Sequence, residues 1–263
     1  MAKMPPFPGT TGRRDWKAAF VAIRKLLANG DDTEQVFRIM RALNVGSGER
    51  GYSRMIATSD GGRMACEQVE LAKRFTDRAW VNSFAPGTVG AAYRHFLETT
   101  GYSADGLVEV SRVNPIEDMA HPYAWYGRRS RDVHDIWHVL TGYKADESLG
   151  EAALVAFSYA QLSGLGWALI ASAASLKSVR VTGNGLFAKA VWEGYRHGRK
   201  AKWLIGEDYE KLMHEPLDAA RLRLNIADPV LYKKAQRELG PEMASYLSAQ
   251  KQAAQPEPQK LAA

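Results

Sequence analysis

From Ala152 to Leu176 the chain runs for 25 residues without a charged side chain. A helix of about 20 such residues can cross a bilayer. The alternative is helix buried on all sides within a protein. Gln161, four serines and the sequence Ser163-Gly164-Leu165-Gly166 in the middle of the stretch argue against one continuous span. The expectation is two shorter buried helices meeting at that break. Buried helices need others around them, so the rest of the chain should be helical too.

The apolar spacing agrees. Trp16, Phe20, Ile23, Leu26 and Leu27 recur at helical intervals and Asn29-Gly30 stops them; Asp31-Asp32-Thr33 then caps a second helix through Val36, Phe37, Ile39, Met40 and Leu43. Glycines at 46, 48, 51, 61 and 62 make Gly46 to Gly62 read as a loop. Helices are expected over Met64 to Trp80, after Pro86-Gly87, from Phe187 to Ile205, around Leu217 to Leu224, and from Pro229 to Leu239. Strand signals are few, and the alternation at Leu107, Val108 and Val110 is too short to count. No internal repeat or linker divides the chain. The fold class expected is all-α: one helical domain over residues 15–247, between a flexible segment 1–14 and a disordered tail 248–263.

Composition narrows the function. The single cysteine, Cys66, excludes a disulfide framework and a multi-cysteine zinc site, so a metal would need His and carboxylate ligands. The first fifteen residues lack the apolar core of a signal peptide, so the mature protein is expected to begin as written. A net charge of +6 favours anionic partners, but no Lys/Arg tract points to nucleic acid.

Chemistry concentrates in Ser130 to Glu151. His134 and His138 stand four apart, on one face of a helix. With Val133 at zero on a helical wheel, Val133, Ile136, Trp137 and Leu140 form a core stripe, while His134, His138 and Asp135 fall at roughly 100°, 140° and 200°. Glu151 is the candidate fourth ligand, returned by a loop after Gly142. Such donors suit Zn²⁺ first, with Fe²⁺ or Mn²⁺ as alternatives.

Other readings compete. A His pair at this spacing arises by chance on helix surfaces. Ser148-Leu149-Gly150-Glu151 is also a capping box. Arg131 could pair with Asp135, and Asp146 and Glu147 are rival acids. The arrangement is related to H-E-x-x-H hydrolases, but with the shorter Asp135 in place of glutamate. Arg128, Arg129 and Arg131 crowd what reads as the start of the metal helix, the wrong end for cations, which makes them candidates for receiving an anionic substrate. Trp192, Arg199, Lys200 and Trp203 could form a membrane-facing surface, or a solvated rim helix.

His134-Asp135-Ile136-Trp137-His138, with Val139-Leu140-Thr141-Gly142-Tyr143 and then Glu151, resembles the ubiquinone (coenzyme Q) biosynthesis protein 4 family. Asp31-Asp32-Thr33-Glu34, Pro86-Gly87-Thr88-Val89-Gly90 before Tyr93-Arg94, and Trp192 through Gly198-Arg199-Lys200 to Pro216-Leu217 look similar as well. One departure stands out. Twelve residues separate His138 from Glu151, one more than is usual in that family, and the shorter spacing would land on Gly150. The resemblance implies an all-helical, dimeric, metal-binding protein with an apolar cavity for a polyprenyl tail, peripheral on the inner membrane from the cytoplasmic compartment. It further implies oxidative decarboxylation at ring C1 of a polyprenylated hydroxybenzoate, beside other ubiquinone biosynthesis enzymes. A lipid-binding scaffold without catalysis, or a metal-dependent hydrolase, are the alternatives.

Overall fold

The computed structural model describes residues 12–30, 32–102 and 119–240. Asp31, the alternation at Leu107 to Val110, the tail at 248–263 and all but the last three residues of the segment 1–14 lie outside them.

Asp15 caps the first helix, accepting from the Ala18 N–H at 2.9 Å. Helix α1 (Trp16–Ala28) packs on α2 (Thr33–Leu43). The stretch read as a loop instead forms α3 (Ser47–Ile56) and α4 (Ser59–Glu67). The helix expected over Met64 to Trp80 is broken into the end of α4, α5 (Leu71–Thr76) and α6 (Arg78–Asn82). Gln68 closes α4 in the left-handed region, and the Asp77 carboxylate caps α6 through the Ala79 and Trp80 amides. Helix α7 (Val89–Thr100) starts at the Thr88 cap.

Next come α8 (Pro122–Asp132), α9 (His134–Thr141), α10 (Ser148–Leu162), α11 (Leu165–Thr182) and α12 (Leu186–Lys200). Helix α12 stops short of Ile205, and Leu204–Gly206 forms a separate 3₁₀ turn. After it lie α13 (Tyr209–Leu212), α14 (Leu217–Arg223) and α15 (residues 230–240). Among the described residues there is no strand, only an isolated bridge between Thr88 and Pro216.

The uncharged stretch behaves as expected. It divides into α10 and α11, and Ser163, at φ +57°, makes the turn between them. Among the described residues no helix is long and apolar enough to cross a membrane. Helix α10 is the centre of the domain, packed on both α12 and α11. Ala153, Leu154 and Phe157 are fully buried, each large side chain contributing about 1.5–3 kcal/mol. Gln161 is buried without an unmet bond: its amide donates to the Gly198 carbonyl at 2.7 Å and accepts from the Leu204 N–H at 2.9 Å. Asn44 Oδ1 accepts from the Gly166 N–H at 2.8 Å, tying the start of α11 to the end of α2.

Candidate metal centre

Val133 separates α8 from α9, so the histidine helix starts at His134 rather than further upstream. Val133, Ile136, Trp137 and Leu140 are buried as the wheel required. The Trp137 indole donates to the Tyr209 hydroxyl at 2.6 Å, and that hydroxyl donates to the Leu204 carbonyl at 3.0 Å. At the other end, Arg221 donates to the Val139 and Leu140 carbonyls, serving the C-terminal acceptors of α9. With its core face and both ends held, α9 turns His134 and His138 toward α10.

There they meet Glu151. The His134 and His138 Nε2 atoms are 3.3 Å apart; Glu151 carboxylate oxygens lie 3.6 Å from the first and 3.2 Å from the second. One donor atom from each of the three residues falls within 4.8 Å of the others, a triad able to hold a metal ion. The Nδ1 atom of His138 is 2.8 Å from the Tyr143 carbonyl. A carbonyl only accepts, so Nδ1 carries a hydrogen and the ring turns its Nε2 edge to the cluster. Phe96 stacks on the same imidazole, with ring centroids 6.0 Å apart.

The electrostatics describe a cluster in need of positive charge. Burial works against the charged form of His134, but Glu151 and Asp135 outweigh it and raise its pKa. Burial likewise opposes the Glu151 carboxylate, and the two imidazoles overcome it, holding the group well below the usual carboxylate range. Two imidazole nitrogens and a carboxylate converging this closely would repel unless a proton or a cation lay among them. The donor chemistry fits a divalent transition ion. Asp135 is not one of the convergent three. It is buried beside them, and desolvation raises its pKa.

The return loop explains why Glu151, and not residue 150, meets the two histidines. A Cβ on Gly150 would stand 1.9 Å from the Lys144 carbonyl oxygen and 2.7 Å from its nitrogen. The loop therefore lies directly on the first turn of α10, and only glycine fits at 150. The capping box is not formed: Glu147, not Ser148, is the N-cap, and its carboxylate is taken by Tyr232 and Gln236 of α15. The Tyr232 hydroxyl also accepts from the Lys144 N–H at 3.0 Å, and its ring meets Tyr143 edge-on. Glu193 fixes α15 in turn, accepting from the Leu231 and Tyr232 amides. Sequence reasoning did not find Tyr232, which lies 88 residues beyond Lys144.

The three arginines are not at the start of the metal helix. They belong to the closing turns of α8, the end that favours cations. Arg131 bonds to Asp132, not Asp135, at 2.8 Å, and Arg128 forms a two-pronged pair with Glu70 at 2.6 and 3.0 Å. Both also stand on the wall of a cavity of about 1920 Å³, together with His134, Asp135 and Glu151. Arg129 is elsewhere. It is buried, donating to the Ile205 and Glu207 carbonyls. Apolar side chains from α1, α2, α10 and α11 also line the cavity, among them Leu26, Met40, Val155 and Ile170.

On α12, Trp192 is 61% exposed and stacks on Tyr195, and Arg199 and Lys200 are also exposed. Trp203 is not in that position: Arg54 lies over its ring at 4.2 Å, and its indole donates to the Gln161 carbonyl at 3.2 Å.

The model of the family described as "Coenzyme Q (ubiquinone) biosynthesis protein Coq4" matches residues 27–230. The chain belongs to the Coq4 family. A mitochondrial ubiquinone biosynthesis protein COQ4 homolog of Danio rerio is 29% identical over 181 residues, 67% of this chain and 63% of that protein. The Nematostella vectensis homolog is 30% identical over 149 residues, 56% of this chain and 69% of its own length. The chain thus spans somewhat under two thirds of the Danio relative. A crystal structure of a Nostoc punctiforme protein assigned to ubiquinone biosynthesis superposes with a TM-score of 0.59 at 18% identity, covering 82% of this chain and 100% of that one. That likeness establishes a shared fold.

Proposed function

We propose that the chain serves ubiquinone biosynthesis as a metal-dependent enzyme that replaces the C1 carboxyl of a polyprenylated hydroxybenzoate with hydroxyl. The observation that carries this reading is the meeting of the His134, His138 and Glu151 triad with one large, mostly apolar cavity. An ion held by these three residues, with the Asp135 carboxyl buried beside them, would supply Lewis acidity toward a carboxylate. Zinc best suits the donors; iron or manganese would add redox capacity. Arg131, on the same wall, offsets the carboxylate charge, with Arg128 beside it. The side chains of α1, α2 and α11 take the tail and exclude water from the ring.

In the overall reaction the ring carbon loses CO₂ and gains one oxygen. Dioxygen and two electrons from a reductant supply it, and the second oxygen atom leaves as water. The protein works as a homodimer beside other ubiquinone biosynthesis enzymes, on the cytoplasmic side of the inner membrane as a peripheral protein.

The deciding experiment is His134→Ala in cells lacking the native gene, with lipid extracts analysed by mass spectrometry. The enzyme reading expects a folded protein, loss of bound metal and accumulation of a prenylated ring that keeps its carboxyl. A variant that depletes metal yet restores ubiquinone would overturn it. Loss of partner binding without that intermediate would favour a lipid-binding scaffold with a structural metal.

A further inference from the structure

Helices α1 and α11 pack together and share the cavity wall, with Ala22 and Leu26 from one and Ile170 and Ala174 from the other. Their outer surfaces are unusual for a protein facing water. On α1, Trp16 and Phe20 are 46% and 55% exposed, and on α11, Leu176 and Val179 are 53% and 37% exposed, all four outside the cavity lining; Val21, 53% exposed, borders the cavity. The Trp16 and Phe20 rings lie together, with centroids 6.3 Å apart. Neither helix contains a single Asp or Glu, whereas Arg24 on α1, Arg180 on α11 and Arg14 just before α1 are exposed bases outside the cavity, and Arg13, Lys17, Lys25 and Lys177 line the cavity, Lys177 donating to the Leu27 carbonyl at 2.7 Å. The nearest acid in sequence, Asp15, is engaged as the α1 cap.

We infer that this α1–α11 face docks the protein on an anionic lipid bilayer, with the cavity lined by other side chains of the same two helices. Exposed aromatic and aliphatic side chains ringed by bases are what an interfacial helix presents to lipid headgroups. The rival surface on α12 is weaker on the same criteria. Trp203 is held beneath Arg54, which leaves Trp192 as the one strongly exposed large apolar side chain on α12. The consequence for delivery of a prenylated substrate rests on the proposed function. The docking itself does not.

The test is co-sedimentation of the full chain with phosphatidylcholine vesicles, with and without phosphatidylglycerol, alongside metal content and melting temperature. The wild type is expected to bind only the anionic vesicles. Phe20→Glu combined with Leu176→Glu should weaken binding about tenfold or more, and Lys17→Glu with Arg24→Glu should weaken it and flatten its salt dependence. Arg199→Glu with Lys200→Glu should change little. Metal content should stay at the wild-type level in all of these, which separates failure of docking from failure of the metal reading. Equal vesicle binding by the α1 and α11 variants would overturn the inference. So would a fall in melting temperature with Phe20→Glu, which would mean that other parts of the chain cover the face. A shift from dimer to monomer without lipid binding would assign it to a second copy and overturn it equally.

Discussion

Glu151 and Val155 lie one turn apart on α10 and face the same cavity, yet the walls they belong to are held by different forces. Around Glu151 the restraints are directional. The Tyr143 carbonyl orients His138, Tyr232 holds the Lys144 amide and Glu147, and backbone contact at Gly150 fixes the loop. Around Val155 the wall is Leu26, Met40, Ile170 and Ala174, which have no hydrogen-bonding side chains and hold position by packing alone. Ligands must stay within a few tenths of an ångström to keep a metal. A flexible apolar tail needs only a dry surface of adequate volume.

The largest expected effect of breaking this contrast is at Gly150. Gly150→Ala puts a methyl into the Lys144 backbone and should cost about 3 kcal/mol, read as a fall in the denaturation midpoint. A near-neutral result would mean that the donor loop yields as easily as the apolar wall.

Tyr232→Phe is the sharper probe, because it removes only a hydroxyl. Metal affinity, measured by chelator competition, should fall about tenfold with the fold intact, and the Lys144 amide should exchange faster with solvent. Unchanged affinity would show that α15 has no part in positioning the ligands.

The smallest effect should come from the other wall. Ala174→Trp should leave metal affinity untouched and stability within about 1 kcal/mol, while weakening displacement of a fluorescent prenyl probe by a few-fold. Loss of metal in this variant would mean that the two walls are coupled after all.

The histidine pair was legible because four-residue spacing puts two side chains on one helical face whatever the tertiary context. The division of the uncharged stretch was legible because Ser-Gly-Leu-Gly interrupts it. Three features were not. Val133 divides two helices without any glycine or proline to announce it, so the arginines were assigned to the wrong helix end. Gly51 was taken for a loop signal, but it lies within α3, where a Cβ would strike the Tyr126 hydroxyl at 2.2 Å. Glycine permits close packing as well as turns, and sequence alone does not separate the two uses. Asp135 was grouped with the ligands by adjacency, whereas the convergent atoms belong to His134, His138 and Glu151. Wheel angles give direction but not reach.

The bonds from Tyr232 to Glu147 and Lys144 span 85 and 88 residues. On the ribosome, both histidines and Glu151 therefore emerge well before the helix that steadies their loop. A nascent chain holds all three ligands but not yet their final arrangement. On the proposed metal-dependent function, firm capture of an ion is thereby deferred until residues 230–240 have been made and have docked, which would tie loading of the centre to completion of the domain.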